Sequence, residues 1–446
     1  MDRTTAIRCL GLYGPVAVAF AVAFWRPREK RLSAAMLVGF FWTLPSLLAL
    51  QVLNQHFGWW LFHAQGGLFR AMPLDLYLGW AALWGILPVL VFRKARTAWI
   101  IVTFFCVDLV LMPACRPVVE LGRLWLWGEA VALTVVLIPA QLLARWTLED
   151  KHLAARAVLQ VLMAGGTFLF LIPEVALALR PGPGWHSLLS QAGWLRNLEL
   201  QAIAVIAAMA VSAVQEFAQR GAGTPIPHDP PKRLVVSGFY RYLRNPMQLS
   251  CALVMTAWGA VLRNPWIAMA GAMAFIYSAG LARWDEGEDM QIRFGASWLR
   301  YSEHVRAWLP RWRPWHDPER PLPRLYIAET CGPCSEVRVW FEAQGATGLE
   351  IVAAEDHPTR DLQRMTYDPL DGSTPETGVR AFARGLEHIH FGWAFAGAAM
   401  RLPGISHFVQ LLLDASGMGP QTIQRRCSTD AKTPVVAERP VVLNRP

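Results

Sequence analysis

Nine apolar runs dominate the chain and restrict what it can fold into. They occupy roughly residues 7–25, 32–53, 76–92, 97–112, 124–143, 154–173, 198–217, 249–261 and 266–282. A helix rises about 1.5 Å per residue and a bilayer core is about 30 Å thick, so a span needs about 20 apolar residues. The eighth run is short. It meets the ninth through the tight Arg263-Asn264-Pro265 turn, so the pair reads as a helical hairpin. Only 17% of residues are charged, against about a quarter in soluble domains. The chain is expected to be mainly α, a polytopic membrane domain of about nine spans, and a mostly disordered chain is excluded.

Charge placement gives an orientation. The connections holding Arg26 to Arg31, Arg93 to Arg96, Arg145 to Arg156 and Arg220 to Arg244 are basic. The alternate connections are poorer, with Arg70, then Arg116 and Arg123, then Arg180 and Arg196. The positive-inside rule places the basic set in the cytoplasm, the N-terminus outside and the C-terminus inside. The net charge of +9 is thereby explained by topology, and no nucleic-acid partner is expected. The first run is not read as a cleaved signal, because its basic residues follow it.

Few residues in the first seven spans carry obvious chemistry. Asp108, Glu129 and Glu174 lie within or beside them, where the expectation is an interfacial position or a neighbouring arginine. His56 and His63, among Trp59, Trp60 and Phe62, read as an interfacial aromatic belt rather than a metal site. No metal site is expected. Residues 1–197 form a transmembrane region with no assigned role.

The first stretch with chemical character is GAGTPIPHDPPKRLVVSGFYRYLRNP, 221–246. Phe239, Tyr240 and Tyr242 interleave with Arg241 and Arg244. After the hairpin comes a polar segment in which Glu286, Met290, Phe294, Tyr301 and Val305 fall near one helical stripe, with Gly295 as a point of interruption. A carboxylate on an apolar face needs a partner. Arginines, aromatic faces and one inward carboxylate suit a ligand with a carboxylate, an ammonium and a sulfonium beside an aromatic base. S-adenosylmethionine has these groups, although other anionic ligands would fit the same residues.

The pattern resembles the isoprenylcysteine carboxyl methyltransferase and phospholipid methyltransferase family of membrane enzymes. The resemblance rests on Gly223-Thr224-Pro225, Asp229-Pro230-Pro231, Arg233-Leu234-Val235-Val236, Gly238, Tyr240-Arg241-Tyr242 and Arg244-Asn245-Pro246-Met247. Beyond the hairpin it continues through Glu286, Arg293-Phe294-Gly295, Tyr301, Val305 and Pro310, covering about residues 200–315. It implies that Arg244, Asn245, Pro246, Met247 and Glu286 bind S-adenosylmethionine, with Tyr301 in support. Tyr240, Arg241 and Tyr242 would sit toward the acceptor or the pocket mouth. Gln248, Gly287 and Trp298 depart from the family pattern at pocket positions, although Glu288 follows directly. A membrane-embedded pocket favours a lipidic or isoprenoid-like acceptor. A carboxylate acceptor needs no general base, whereas a thiol or amine must lose a proton. His228 lies in the loop, and a surface position without a catalytic role is expected for it.

Five prolines in 310–324 mark a stiff, extended linker. The chain is soluble in character beyond it. A short apolar strand, 324–328, leads into Cys331-Gly332-Pro333-Cys334, a helical stretch at 335–344 and a second strand at 349–353. Strand, CxxC, helix, strand opens a thioredoxin-like unit. A helix N-terminus favours a thiolate at the first cysteine, so Cys331 is expected to attack and Cys334 to resolve. No second CxxC or nearby Cys/His pair completes a zinc site, and Cys427 stands alone in the tail. Cys9, Cys106, Cys115 and Cys251 fall in or near spans and read as packing residues. In a reducing cytoplasm the pair would be a working dithiol with a cytoplasmic dithiol partner.

The segment 322–425 resembles a family of thiol-disulfide oxidoreductases named for an Asp-Cys-x-x-Cys motif, with Thr330 where the Asp is usual. The expected layout is therefore residues 1–197, a methyltransferase core at 198–312, a linker at 313–323, a soluble α/β thioredoxin-like domain at 324–424 and a disordered tail at 425–446. Three rivals stand beside this expectation. One is a membrane-tethered thiol reductase whose spans are a scaffold. Another is a non-catalytic lipid-binding membrane protein. The third is a sterol-reductase-like enzyme, which would need a nicotinamide cofactor, and the chain has no GxGxxG.

Overall fold

The computed structural model describes residues 2–26, 29–226 and 229–426, and every side chain within these but those of 281–288 and 403. The chain is mainly helical. Seven helices are long and apolar enough to cross a membrane: Arg3–Phe24, Lys30–Phe57, Leu74–Val91, Thr97–Ala114, Trp125–Glu149, Leu153–Leu179 and Gly193–Gln219. The last two apolar runs form shorter helices, Pro246–Val261 and Pro265–Gly280. Many large apolar side chains on the long helices are exposed, among them Phe20, Trp99, Val110 and Leu162, as a lipid-facing surface requires.

Three long helices widen into a π-helical turn, at Ala81–Ile86, Leu133–Leu137 and Thr167–Leu171. Each is followed two residues later by a proline: Pro88, Pro139 and Pro173. Proline lacks an N–H and its ring crowds the carbonyl four residues back. Those three carbonyls are Trp84, Val135 and Leu169, and each accepts from a side chain of another helix. Gln141 Nε2 donates to Trp84, Trp42 Nε1 to Val135 at 3.1 Å, and Trp258 Nε1 to Leu169 at 3.0 Å. Inside an apolar bundle a freed carbonyl needs such a donor.

Ion pairs tie the loops together at the two ends of the bundle. At one end Arg93 pairs with Glu29 at 2.9 Å, and Asp150 gathers Arg31, Lys232 and Arg156 at 2.8, 2.8 and 3.0 Å. These loops are the four read as basic and cytoplasmic. At the other end Arg8 pairs with Asp75 and Arg70 with Glu174, both at 2.7 Å. Glu174 also accepts from Trp185 Nε1 at 2.6 Å, so it has the arginine partner expected of it.

The hairpin closes tightly. Asn264 caps the second helix by accepting from the backbone N–H groups of Trp266 and Ile267 at 3.0 and 3.3 Å. Gly259 lies so close to Ala268 that a Cβ would sit 2.2 Å from its backbone nitrogen, so only glycine lets the two helices meet there.

The C-terminal unit has a four-stranded sheet of Arg324–Ile327, Glu350–Ala353, Thr366–Asp368 and Glu376–Thr377. Glu350–Ala353 lies at one edge, parallel to Arg324–Ile327. Thr366–Asp368 pairs antiparallel on the other side of Arg324–Ile327, and Glu376–Thr377 pairs antiparallel to it in turn. The helix Gly332–Gln344 crosses between the two parallel strands, with Phe341 fully buried in the core. The segment read as a linker is packed rather than free: Trp315 is buried against Tyr301, and Trp312 stacks on His390. The tail from 427 onward lies outside the described residues.

Candidate functional site

The segment after the hairpin returns onto the segment before it. The helix Arg283–His304 is broken at Gly295, whose φ of 52° is a left-handed conformation that glycine adopts without strain. The kink separates the stretch around Met290 from that around Tyr301. The chain then lies along residues 241–245. Arg244 N donates to Arg306 O at 3.0 Å, Asn245 N to Ala307 O at 3.3 Å, Arg311 N to Tyr242 O at 3.0 Å and Trp315 N to Arg241 O at 2.9 Å. Tyr301, fully buried, donates its hydroxyl to Tyr240 O at 2.8 Å. Burial pushes the Tyr301 phenol above its ordinary range, and the Arg244 charge opposes that shift.

Arg244 is half-buried, and its guanidinium carbon lies 5.6 Å from the centre of the Trp298 ring. Trp298 in turn packs on Tyr301, ring centres 5.8 Å apart. A cation over an indole face gains about 0.5–2 kcal/mol. Arg244, Trp298 and Tyr301 thus form one aromatic and cationic group, and Trp298 is a departure from the family pattern. Asn245 and Pro246 begin the helix Pro246–Val261, and Met247 packs with Ala213, Val235, Phe217 and Tyr240. Glu286 lies outside the residues whose side chains are described, as do Gly287 and Glu288.

The residues assigned to the acceptor side divide. Tyr240 packs beside Phe217, in one apolar cluster with Ala213, Val235 and Met247. Tyr242 turns to the C-terminal unit, donating its hydroxyl to Glu387 O at 3.0 Å and packing its ring on Phe391. Arg241 is buried, and its charge is felt by Tyr367, His388 and His316. Arg241 and Tyr242 therefore lie beneath the C-terminal unit. Other motif residues close the loop. Asp229 accepts from Thr224 Oγ1 at 2.7 Å and from Arg156 at 3.0 Å, which pins Thr224 and Asp229 to the helix Leu153–Leu179.

Sequence reading missed the seam between the two units. Glu216, at the end of the seventh long helix, is 0% exposed and bonds Arg384 at 2.7 Å and also Arg401. Arg384 reaches Glu376 at 2.7 Å and Glu387 at 3.1 Å, and Arg401 reaches Glu387 at 2.5 Å. Arg220 pairs with Asp371 at 2.9 Å. Beside this network Phe239 packs on Phe391 and Phe395. Gly238, at φ 59°, sits so close that a Cβ would meet Glu216 Cγ at 2.8 Å. The only sequence signal was acidic and basic residues on otherwise apolar helices, which does not reveal pairing between the two units across 151 or more positions.

The CxxC lies where the sequence places it. Cys331 is the N-cap residue of the helix Gly332–Gln344, Cys334 is in its first turn, and the two form a disulfide. Both are half-buried. Glu355, directly after the second strand, was not foreseen. Its carboxylate accepts from Thr330 N at 3.0 Å, Thr330 Oγ1 at 2.8 Å and Glu329 N at 3.0 Å, holding the chain that enters Cys331. Burial works to raise its pKa, but the backbone and hydroxyl donors outweigh it and hold the carboxyl at about 2. A depressed carboxyl stabilises the fold above its unfolded value of about 4.3 and loses that contribution as pH falls toward about 2. In an acid series of thermal melts, the gap between the wild type and Glu355→Gln narrows below about pH 4.3. A gap that stays constant with pH contradicts this role.

Among the described residues no group of three or more His, Cys, Asp or Glu side chains could hold a metal ion. No family model, no curated protein and no solved structure matches the chain.

Proposed function

We propose that the protein is an integral membrane methyltransferase that uses S-adenosylmethionine to methylate a lipophilic acceptor, and that its C-terminal unit is a thioredoxin-like thiol-disulfide oxidoreductase. The observation that carries the first half is the return of 301–315 onto 241–245, which sets Arg244 over Trp298 and beside Tyr301. A half-buried guanidinium next to aromatic faces fits a ligand carrying a carboxylate, a cationic sulfonium and an aromatic base. Arg244 would hold the carboxylate, with Trp298 and Tyr301 offering ring surface, and Asn245, Pro246, Met247 and Glu286 completing the site by resemblance. The cofactor supplies an electrophilic methyl group. The chain's contribution is alignment and exclusion of water. Transfer of labelled methyl to extracted membrane lipid is expected from the wild type and is lost in Arg244→Ala. Equal transfer by both contradicts the assignment.

The second half rests on the disulfide at the start of a helix that follows one strand and precedes its parallel partner. In the proposed orientation the N-terminus lies outside, the short hairpin completes nine spans, and the C-terminal unit is cytoplasmic. The ion pairs that gather the basic loops at one end of the bundle support this arrangement.

A further inference from the structure

The helix Phe391–Arg401 of the C-terminal unit lies against the last long helix, Gly193–Gln219. Met209 shares an apolar cluster with Ala394 and Ala398, and Arg401 bonds Glu216. Met209 precedes Gln219 by ten residues, about 15 Å along the axis, so the contact runs well inside the long helix. With 27 residues that helix is about 40 Å long, against a bilayer core of about 30 Å. Glu216, close to its end, therefore falls near the boundary between acyl chains and headgroups. A second helix, Pro403–Leu413, begins two residues after Arg401 and so starts at that boundary.

The polarity of Pro403–Leu413 is turned inside out. The residues it sets against its own unit are polar. Ser406 Oγ accepts from Arg380 Nε at 3.4 Å, and Gln410 Oε1 accepts from Val379 N at 2.9 Å. Gln410 Nε2 donates to Asp414 at 2.9 Å, and Asp414 pairs with Arg364 at 2.5 Å. The outward residues are large and apolar: Ile405, Phe408, Leu411 and Leu412 are between 42% and 62% exposed. Their spacings of three and four place them on one stripe. His407 is the one exposed polar side chain in 404–413. A contiguous apolar stripe marks an interaction surface. The long helices carry exposed apolar side chains of the same kind, Phe20, Trp99 and Val110 among them.

We propose that Pro403–Leu413 is an interfacial helix, lying along the bilayer surface with Ile405, Phe408, Leu411 and Leu412 inserted at the boundary of headgroups and acyl chains. The occupant of this face is lipid rather than a second copy of the chain, because the helix continues directly from the seam that holds its unit against a long helix. The bonds of Ser406, Gln410 and Asp414 fix its rotation, so the stripe cannot turn inward without breaking them. The C-terminal unit is then held to the membrane twice, by the buried ion pairs at Glu216 and by this helix. The proposal rests on reading the seven long helices as membrane spans and is independent of both enzymatic assignments.

Photo-crosslinking of the full-length protein in lipid nanodiscs tests it. The photoreactive residue p-benzoylphenylalanine is placed singly at Phe408, Leu412, Val110 or Glu336, and the adducts are identified by mass. Val110, 71% exposed, reports a long helix of the bundle, and Glu336 reports an exposed face of the helix Gly332–Gln344. Lipid adducts are expected at Phe408, Leu412 and Val110 and not at Glu336. A lipid adduct at Val110 with none at Phe408 and Leu412 overturns the proposal, and so does an adduct to a second copy of the chain at Phe408 or Leu412. Equal lipid labelling at Glu336 overturns it as well, because the contact is then not particular to this helix. No lipid adduct at Val110 removes the membrane reading, and the proposal with it.

Discussion

Glu216→Ala lowers the stability of the full-length protein by about 3–5 kcal/mol, the range for removing one partner of a buried ion pair. That is a large share of the roughly 5–15 kcal/mol that holds a typical domain folded. The size follows from what the substitution leaves behind. Arg384 and Arg401 are each within 1% of complete burial and share Glu216 with Glu376 and Glu387. With Glu216 gone, two buried guanidinium groups lose a common counter-charge while the surrounding apolar side chains keep water out. The expected outcome is a lower melting temperature and faster proteolytic cutting between residues 310 and 324, where the chain passes from one unit to the other. A loss below about 1 kcal/mol, the scale of an exposed pair, contradicts a buried seam.

Cys331→Ser abolishes thiol-disulfide exchange by the purified protein. In the proposed reaction the Cys331 thiolate attacks a partner disulfide, one partner sulfur leaves as a thiolate, and a mixed disulfide forms. The Cys334 thiolate then attacks Cys331 sulfur and releases the second partner thiol. The partner is reduced by two electrons, and the dithiol is oxidised to the Cys331–Cys334 disulfide seen in the structure. Cys334→Ser blocks the second step and traps the mixed disulfide, whereas a serine at 331 has no thiolate to begin the first. Reduction of a small disulfide substrate in the presence of dithiothreitol reads the first step, and the mass of the trapped mixed disulfide, taken without added reductant, reads the second. Full turnover in Cys331→Ser removes the redox assignment. Because Tyr242 and Phe239 pack directly on the C-terminal unit, a redox-dependent change in that unit has a short physical route to the segment bearing Arg244.

The elements governed by local physics were legible in the sequence. Apolar runs of about 20 residues became long helices, the Arg263-Asn264-Pro265 turn became a capped hairpin, and Gly295 broke its helix. The CxxC fell at a helix start between parallel strands, since strand, turn and helix there are set by neighbours in the chain. What depended on distant partners was not legible. Glu216 and Arg401 are 185 positions apart, and no periodicity links them. Arg241 and Tyr242 share a short motif with Arg244, yet they turn toward the C-terminal unit because Glu387 and Phe391 are there to receive them. The three π-helical turns lay beyond helix periodicity as well, although each proline marks its own in retrospect.

The reading of the site depends most directly on whether the group around Arg244 recognises the cofactor. Calorimetric titration of S-adenosylmethionine into the detergent-solubilised full-length protein measures this without knowledge of the acceptor. The account predicts saturable binding to the wild type at one site per chain, and no detectable binding to an Arg244→Ala variant that keeps the wild-type melting temperature. No heat of binding with the wild type, or equal affinity in the two proteins, contradicts it.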